Sequence, residues 1–460
     1  MSFYVGTDHT MHAKTQHDTP AVTQAGLEQL VRDVLKEARA QGANQAEAGV
    51  SADSGLNLTV RLGEVETLEY QRDRGLGLTV YFGTRKGSAS SADLSPAALA
   101  DTVRAACSIA RYTAADDCAG LADAELMATE FPDLDLCYPW EPEPETVIEM
   151  AKSCEDAARS FDPRIENSEG ASVSTHRGLR VYANSHGFSG GYESTTHSIT
   201  CSVIGKSGES MQRDYWYSYG RDVRELESPQ AVGRKAAERT VARLGARRLS
   251  TRKCPVLFVP ELARGLVGSF LGAMRGGAQY REASFLLKAQ GQQVFPAFMQ
   301  FSERPFLKKG LASAAFDNEG VATREREIVD RGIATTYLLD SYSARKLGLK
   351  TTGHAGGVRN LMVKPGDLDY TGLLRHMGRG LVVTELLGHG VNGVTGDYSR
   401  GASGFWVEDG VPAYPVEEIT IAGNLKDMFR NIAAVGKDID MRGATHTGSL
   451  LVAEMTIAGE

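Results

Sequence analysis

The sequence predicts an α+β protein: an N-terminal α/β domain carrying a duplicated helix, strands, helix unit, then a β-rich, open-barrel-like C-terminal domain. Three observations predict it. Ser-Pro opens an alanine-rich helix at Ser95-Pro96 and again at Ser228-Pro229, each time after alternating apolar and polar residues. Beyond Lys253 the pattern changes to short apolar runs between glycines, and many of the 50 glycines fall in this half. At the junction, Leu262, Leu266, Val267, Phe270, Leu271 and Met274 recur at helical spacing within residues 259–276. The expected limits are 1–21 for a flexible polar tail, 22–250 for the first domain and 251–460 for the second.

Taken in order, residues 23–40 read as a helix stopped near Gly42. Residues 56–62 and 65–70 alternate around Gly63, and residues 75–82 with 86–91 make a second hairpin. The Ser95-Pro96 helix runs to about Tyr112, and an acidic, proline-containing connector occupies 116–145. The order then repeats: a helix over 145–160, strands over 172–219 with turns at 185–187, 189–191 and 207–208, and a helix from Ser228-Pro229 to near Gly245. In the second domain, strands are expected at 316–328, 333–339, 380–391, 404–408, 419–422 and 450–457.

Composition excludes several functions. The chain has 460 residues, 42% of them hydrophobic and 23% charged, enough for two or three cores. A formal charge of -8 without a dense Lys/Arg block argues against nucleic-acid binding. No apolar run is long enough to span a membrane and no apolar signal core precedes residue 21, so a cytoplasmic location is expected. Six scattered cysteines form no CxxC pair and read as reduced thiols.

Within 259–276 a second stripe, Gly265, Gly268, Gly272 and Gly276, costs roughly 1 kcal/mol per glycine relative to alanine, which close packing of another backbone would offset. Glu261 is the only acidic or metal-ligating side chain in that stretch. Gly187-Phe188-Ser189-Gly190-Gly191 fits a nucleophile-elbow pattern, but strand follows it where an elbow needs a helix, so it reads as a hairpin turn. His9 and His12 lie in the tail, and the remaining histidines are isolated in sequence. Three second-domain segments carry polar residues among glycines: 316–323, 353–360 and 387–408. The last holds His389, Asn392, Thr395, Asp397, Ser399 and Arg400. It is either a substrate-binding loop or a set of glycine turns closed by Asx and Ser/Thr hydrogen bonds.

The stretches Ser-Pro-Ala-Ala-Leu at 95–99, FDNEGVATRERE, TTGHAGGVRNLMV and HGVNGVTGDYSRGASGFWVE resemble the TldD/PmbA family of metallopeptidases, in its PmbA (TldE) branch. The resemblance covers nearly all of the chain after the tail. It implies a subunit of a two-chain assembly that degrades or trims unfolded peptides, and a TldD-type partner holding zinc through HExxxH and a C-terminal cysteine. Laid on 261–266, that pattern puts Glu261 and Leu266 at the histidine positions and Leu262 at the glutamate. Residues 446–460 contain no cysteine. The resemblance therefore implies degenerate metal positions at Glu261 and Leu266, no zinc and no catalytic residue in this chain, and an inactive isolated subunit that could form a homodimer. Two other readings stand beside it: a metal-independent hydrolase using His389 with Asp397 or Ser399, and a peptide-binding module without a proteolytic role.

Overall fold

The computed structural model describes residues 23–459; the tail, with His9 and His12, lies outside them. The first half contains α1 (Gln24–Ala40), β1 (Gln45–Arg61), β2 (Glu64–Phe82), β3 (Arg85–Ser91) and α2 (Pro96–Tyr112). Then come α3 (Pro144–Arg159), β4 (Ile165–Asn184), β5 (Ser189–Ser207), β6 (Ser210–Gly220) and α4 (Pro229–Ala242). The six strands form one antiparallel sheet in the order β3-β2-β1-β4-β5-β6. That order is symmetric about the β1–β4 pair, where Gly55 faces His176, so the expected duplication emerges as an approximate two-fold.

The Ser-Pro signals work as capping chemistry predicts. Ser95 and Ser228 accept hydrogen bonds from the amides of Ala98 and Ala231, and proline takes the first helical position each time. Even-numbered β1 residues face the helices: Ala46, Ala48 and Val50 pack under α1 and α2, while Leu56, Leu58 and Val60 pack under α3 and α4. The helices approach closely. A Cβ on Gly233 of α4 would lie 2.0 Å from the Cys154 carbonyl oxygen of α3, and one on Gly87 of β3 would lie 2.2 Å from the Ala106 oxygen of α2.

The second half begins with β7 (Arg252–Phe258), α5 (Pro260–Met274) and α6 (Gly276–Tyr280). There follow β8 (Phe301–Glu303), β9 (Arg326–Asp330), β10 (Ile333–Ala334), α7 (Ser341–Lys346), β11 (Leu361–Val363) and α8 (Tyr370–Met377). The chain ends with β12 (Gly380–Leu387), β13 (Asp397–Glu408), β14 (Val411–Asn424), α9 (Leu425–Arg430), β15 (Ile432–Val435), β16 (Thr445–His446) and β17 (Leu450–Ala458). Strands β14-β13-β12-β7-β17 close on themselves through a β14–β17 pairing, which makes a five-stranded barrel. The main core joins barrel residues such as Phe258, Trp406 and Ile421 to Leu266, Val267, Phe270 and Met274 of α5. A smaller sheet, β10-β9-β8-β11-β16, packs alongside.

Several expectations are corrected. The strands expected at 65–70 and 75–82 are one strand, β2, because 71–74 is polar yet stays paired with β1. Residues 189–191 start β5 and are not a turn. Of 316–328 only the end is strand, and 333–339 shrinks to β10, since these segments satisfy their backbones through side chains and loops. Among the described residues, a Cβ added at Gly265, Gly268 or Gly272 would meet nothing within 4 Å beyond the helix itself, whereas one at Gly276 would collide with Ser343.

The α3–α4 contact is testable by adding one carbon. Gly233→Ala is expected to lower stability by about 1–3 kcal/mol despite alanine's better helix propensity. Denaturant unfolding that left the midpoint unchanged would contradict this packing.

Candidate functional site

Helix α5 starts without a side-chain cap, and Glu261 in its first turn complements the helix dipole. Glu261 is not free to ligate. Its Oε1 accepts a 3.1 Å hydrogen bond from Arg442 and lies 3.9 Å from Arg239. Arg442 also bonds Asp440 at 2.9 Å and donates to the Tyr217 carbonyl at 2.9 Å, with its guanidinium 4.0 Å from the Trp216 ring centroid. Arg264 pairs with Asp440, Arg239 with Asp214 at 3.3 Å, and Arg243 with both Asp214 and Glu385. Four arginines thus meet four carboxylates (Asp214, Glu261, Glu385 and Asp440), and the network ties α4 and β6 to α5, β12 and the segment before β16. Burial opposes ionisation of Asp440, yet hydrogen bonds from Arg442 hold its carboxyl below the ordinary range.

In the TldD branch of the family that this chain resembles, the helix at this position would hold zinc; the residues at Glu261 and Leu266 do not fit a metal. Leu266 is 3% exposed within the main core, Glu261 already neutralises guanidinium charge, and a dication would face four arginines. Among the described residues no three His, Cys, Asp or Glu side chains are grouped so as to hold a metal ion.

The proposed substrate-binding residues lie on the exposed β12–β13 hairpin. Asn392 accepts from the Val394 and Thr395 amides, Thr395 donates to Asp397 at 2.6 Å, Asn424 donates to Asp397 at 3.2 Å, and Arg400 donates to the Leu387 carbonyl. His389 and Ser399 are exposed, and among the described residues no side-chain hydrogen bond joins His389 to Asp397 or Ser399. These bonds close the hairpin.

The other two polar segments form one buried scaffold. Asp317 accepts from the amides of Glu319, Val321 and Ala355, and His354 bridges Thr352 at 2.8 Å and Glu303 at 3.0 Å. Asn360 donates to the Arg304 carbonyl and accepts from the Ala312 amide. Above this scaffold a cleft of about 660 Å³ opens against the sheet face opposite the helices. Gly49, Gly75, Gly77 and Gly190 floor it, Asp53, Arg180 and Tyr192 flank it, and Phe316 and Asn318 close one side. A floor of glycines exposes strand backbone to whatever enters, which suits an extended chain.

Beside the cleft sits a group invisible to sequence reading. Glu47 accepts from Tyr81 at 3.0 Å and Tyr182 at 2.8 Å, and Glu319 accepts from the Ser341 amide at 2.9 Å and its hydroxyl at 2.6 Å. Burial, with help from Asp317, pushes Glu319 up to about 7. Burial and Glu47 likewise raise both tyrosines. The FDNEG motif marked the place, but nothing in sequence indicated that its glutamate meets Ser341.

Comparison with known proteins matches three family models: PmbA/TldA metallopeptidase domain 1 over residues 46–110, the central domain over 137–244 and the C-terminal domain over 251–459. Metalloprotease PmbA of Escherichia coli O157:H7 is 52% identical over 434 residues, 94% of this chain and 96% of that protein. Among solved structures, a candidate modulator of DNA gyrase from Bacteroides thetaiotaomicron superposes with a TM-score of 0.90 at 28% identity, covering 95% of this chain and all of the other. TldE from Thermococcus kodakarensis shares the fold, with a TM-score of 0.80 at 19% identity over 94% of this chain and 100% of that one.

The Glu319 environment has a measurable consequence. Between its ordinary 4.5 and about 7 the folded chain keeps a proton that the unfolded chain has released. Its contribution to stability is therefore largest below pH 4.5 and is lost as pH rises through 7. Glu319→Gln should remove that loss, gaining up to about 3 kcal/mol on the parent between pH 4.5 and 7.5. Parallel unfolding curves for the two chains across that range would refute the assignment.

Proposed function

The chain belongs to the PmbA/TldD metallopeptidase family, and from that membership we propose that it is the PmbA/TldE-type subunit of a two-chain protease acting on unfolded peptides. Its role is to position substrate and complete the chamber, while zinc and the hydrolytic step belong to a TldD-type partner. The observation that carries this reading is the state of α5: Glu261 is held by Arg442, and Leu266 is packed into the barrel core. The arginine–carboxylate network holds the helix where a metal would otherwise tie it to its surroundings. The glycine-floored cleft supports a binding role, because backbone hydrogen bonding is tolerant of peptide sequence. The open face of Gly265, Gly268 and Gly272 supports a partner, because a second backbone can approach there closely.

A metal-independent hydrolase would need a nucleophile and a base in contact. In the β12–β13 hairpin, Asp397 is committed to Thr395 and Asn424 instead. A peptide-binding module without a proteolytic role shares the cleft with our reading and differs only in the effect of a partner.

Metal analysis decides between them. The purified chain should contain no stoichiometric zinc and should not cleave an unfolded peptide; adding the TldD-type chain should bring zinc and chelator-sensitive cleavage together. Robust chelator-sensitive cleavage by the chain alone would overturn the proposal. Gly268→Ala probes the open helix face: it should stabilise the isolated chain by about 0.5–1 kcal/mol while weakening its association with that partner. A stabilised variant that associates normally would leave that face unused.

A further inference from the structure

One charge in the glycine-floored cleft has no counterpart. Arg180 stands in the middle of the sheet, opposite Ser51 of β1 on one side and Tyr192 of β5 on the other, and it lines the cleft with both. It is exposed, and among the described residues its side chain makes no hydrogen bond, ion pair or ring contact. The two carboxylates that line the same cleft are committed elsewhere. Asp53 lies 3.2 Å from His176 Nε2, and Asp317 is buried beneath the amides of Glu319, Val321 and Ala355.

The surroundings of Arg180 suit a ligand of some length. The cross-strand row Gly75, Ser51, Arg180, Tyr192 runs over four neighbouring strands. At the usual strand spacing that row is about 14 Å long, room for about four residues of extended chain. On one side of the arginine the floor is bare: a Cβ on Gly75 would come no closer than 3.8 Å to another residue, one on Gly49 no closer than 4.0 Å, and one on Gly77 would meet nothing within 4 Å. On the other side stands an aromatic wall. The Phe316 ring lies 6.1 Å from Tyr192, 5.2 Å from Phe188 and 5.8 Å from Phe131, centroid to centroid, and Gly190 makes room for it, since a Cβ there would lie 2.8 Å from that ring. Rings beside a cation keep water away on that side and strengthen any ion pair the cation forms.

We propose that Arg180 is a specificity residue: the cleft takes an extended peptide across its strands and selects one that brings a carboxylate, either an acidic side chain or a free C-terminus, to this guanidinium. The proposal rests on the binding role given to the cleft above and adds what the cleft selects. A guanidinium and a carboxylate meet through two parallel N–H···O bonds in one plane, which fixes the register of the peptide as well as adding affinity. No intramolecular partner has to be released first, because Arg180 has none among the described residues. The bare glycines on one side then leave the peptide backbone free to lie against the sheet, whatever its other side chains.

Fluorescence anisotropy on the full chain tests the selection. The probes are short, labelled, unfolded peptides, amidated at the C-terminus and identical except for Glu, Gln or Lys at one position, together with the Gln peptide carrying a free C-terminal carboxylate. The Glu peptide, the free-carboxylate peptide or both should bind roughly tenfold more tightly than the amidated Gln peptide, and added salt should shrink the advantage. An advantage for Glu alone assigns an internal acidic residue to Arg180, and one for the free carboxylate alone assigns the end of the peptide. Arg180→Gln should abolish the advantage and Arg180→Glu should transfer it to the Lys peptide, with thermal unfolding unchanged in both variants. Binding by the parent without regard to charge, a preference that survives both substitutions, or no binding at all would overturn the proposal. Partner-dependent cleavage keeps the subunit reading separate. A parent chain that activates a TldD-type chain while its peptide preference ignores Arg180 loses only the carboxylate site, whereas failure to activate that chain counts against the subunit reading whatever Arg180 binds.

Discussion

The antiparallel pairing of β1 with β4 is the constraint on which the rest of the chain depends. It joins two copies of one helix, strands, helix unit into a single sheet, and strand alternation then decides everything about the two faces. Even-numbered β1 residues go under the helices and supply two separate apolar cores. Odd-numbered residues go to the opposite face, where Gly49 of β1 sits across from Gly77 of β2 and the cleft floor results. A shift of one residue between β1 and β4 would turn Ala48 and Val50 toward the cleft and set Gly55 under α3. The cleft and the core therefore have a common origin in one register.

The other junction is electrostatic, and its composition explains how α5 is anchored to the elements around it. A zinc site concentrates positive charge among a few donors. Here the positive charge is spread over four planar cations whose carboxylate partners come from β6, α5, β12 and the segment preceding β16. Guanidinium groups suit that task because they are weakly hydrated, donate in a fixed plane and stack on rings, as Arg442 does on Trp216. The balance of four charges against four matters as much as the contacts, since removing one partner would strand a partly buried charge.

Much of this architecture was legible in the sequence because it rests on local chemistry. Ser95 and Ser228 cap their helices through their own hydroxyls, so the duplication could be read from two dipeptides. The break between residues 70 and 75 misled for the opposite reason: Gln71, Arg72, Asp73 and Arg74 show no alternation, although β1 keeps them paired as strand. The 316–323 and 353–360 segments advertised polarity, but whether polar groups face water or one another depends on contacts far apart in sequence, such as Asp317 with the Ala355 amide. Arg442 belongs to the same class. Alone in sequence it resembles any surface arginine, and only the closed barrel brings it to Glu261.

The glycines of α5 show how the same residue type can mean opposite things. Gly233 has no room for one more carbon, and its neighbours explain it completely. Gly265, Gly268 and Gly272 have room to spare, and among the described residues nothing packs there to compensate their cost to the helix. A chain under selection for its own stability alone would gain from alanine at each of these exposed positions. The partner proposed above, packed on that face, would offset the cost.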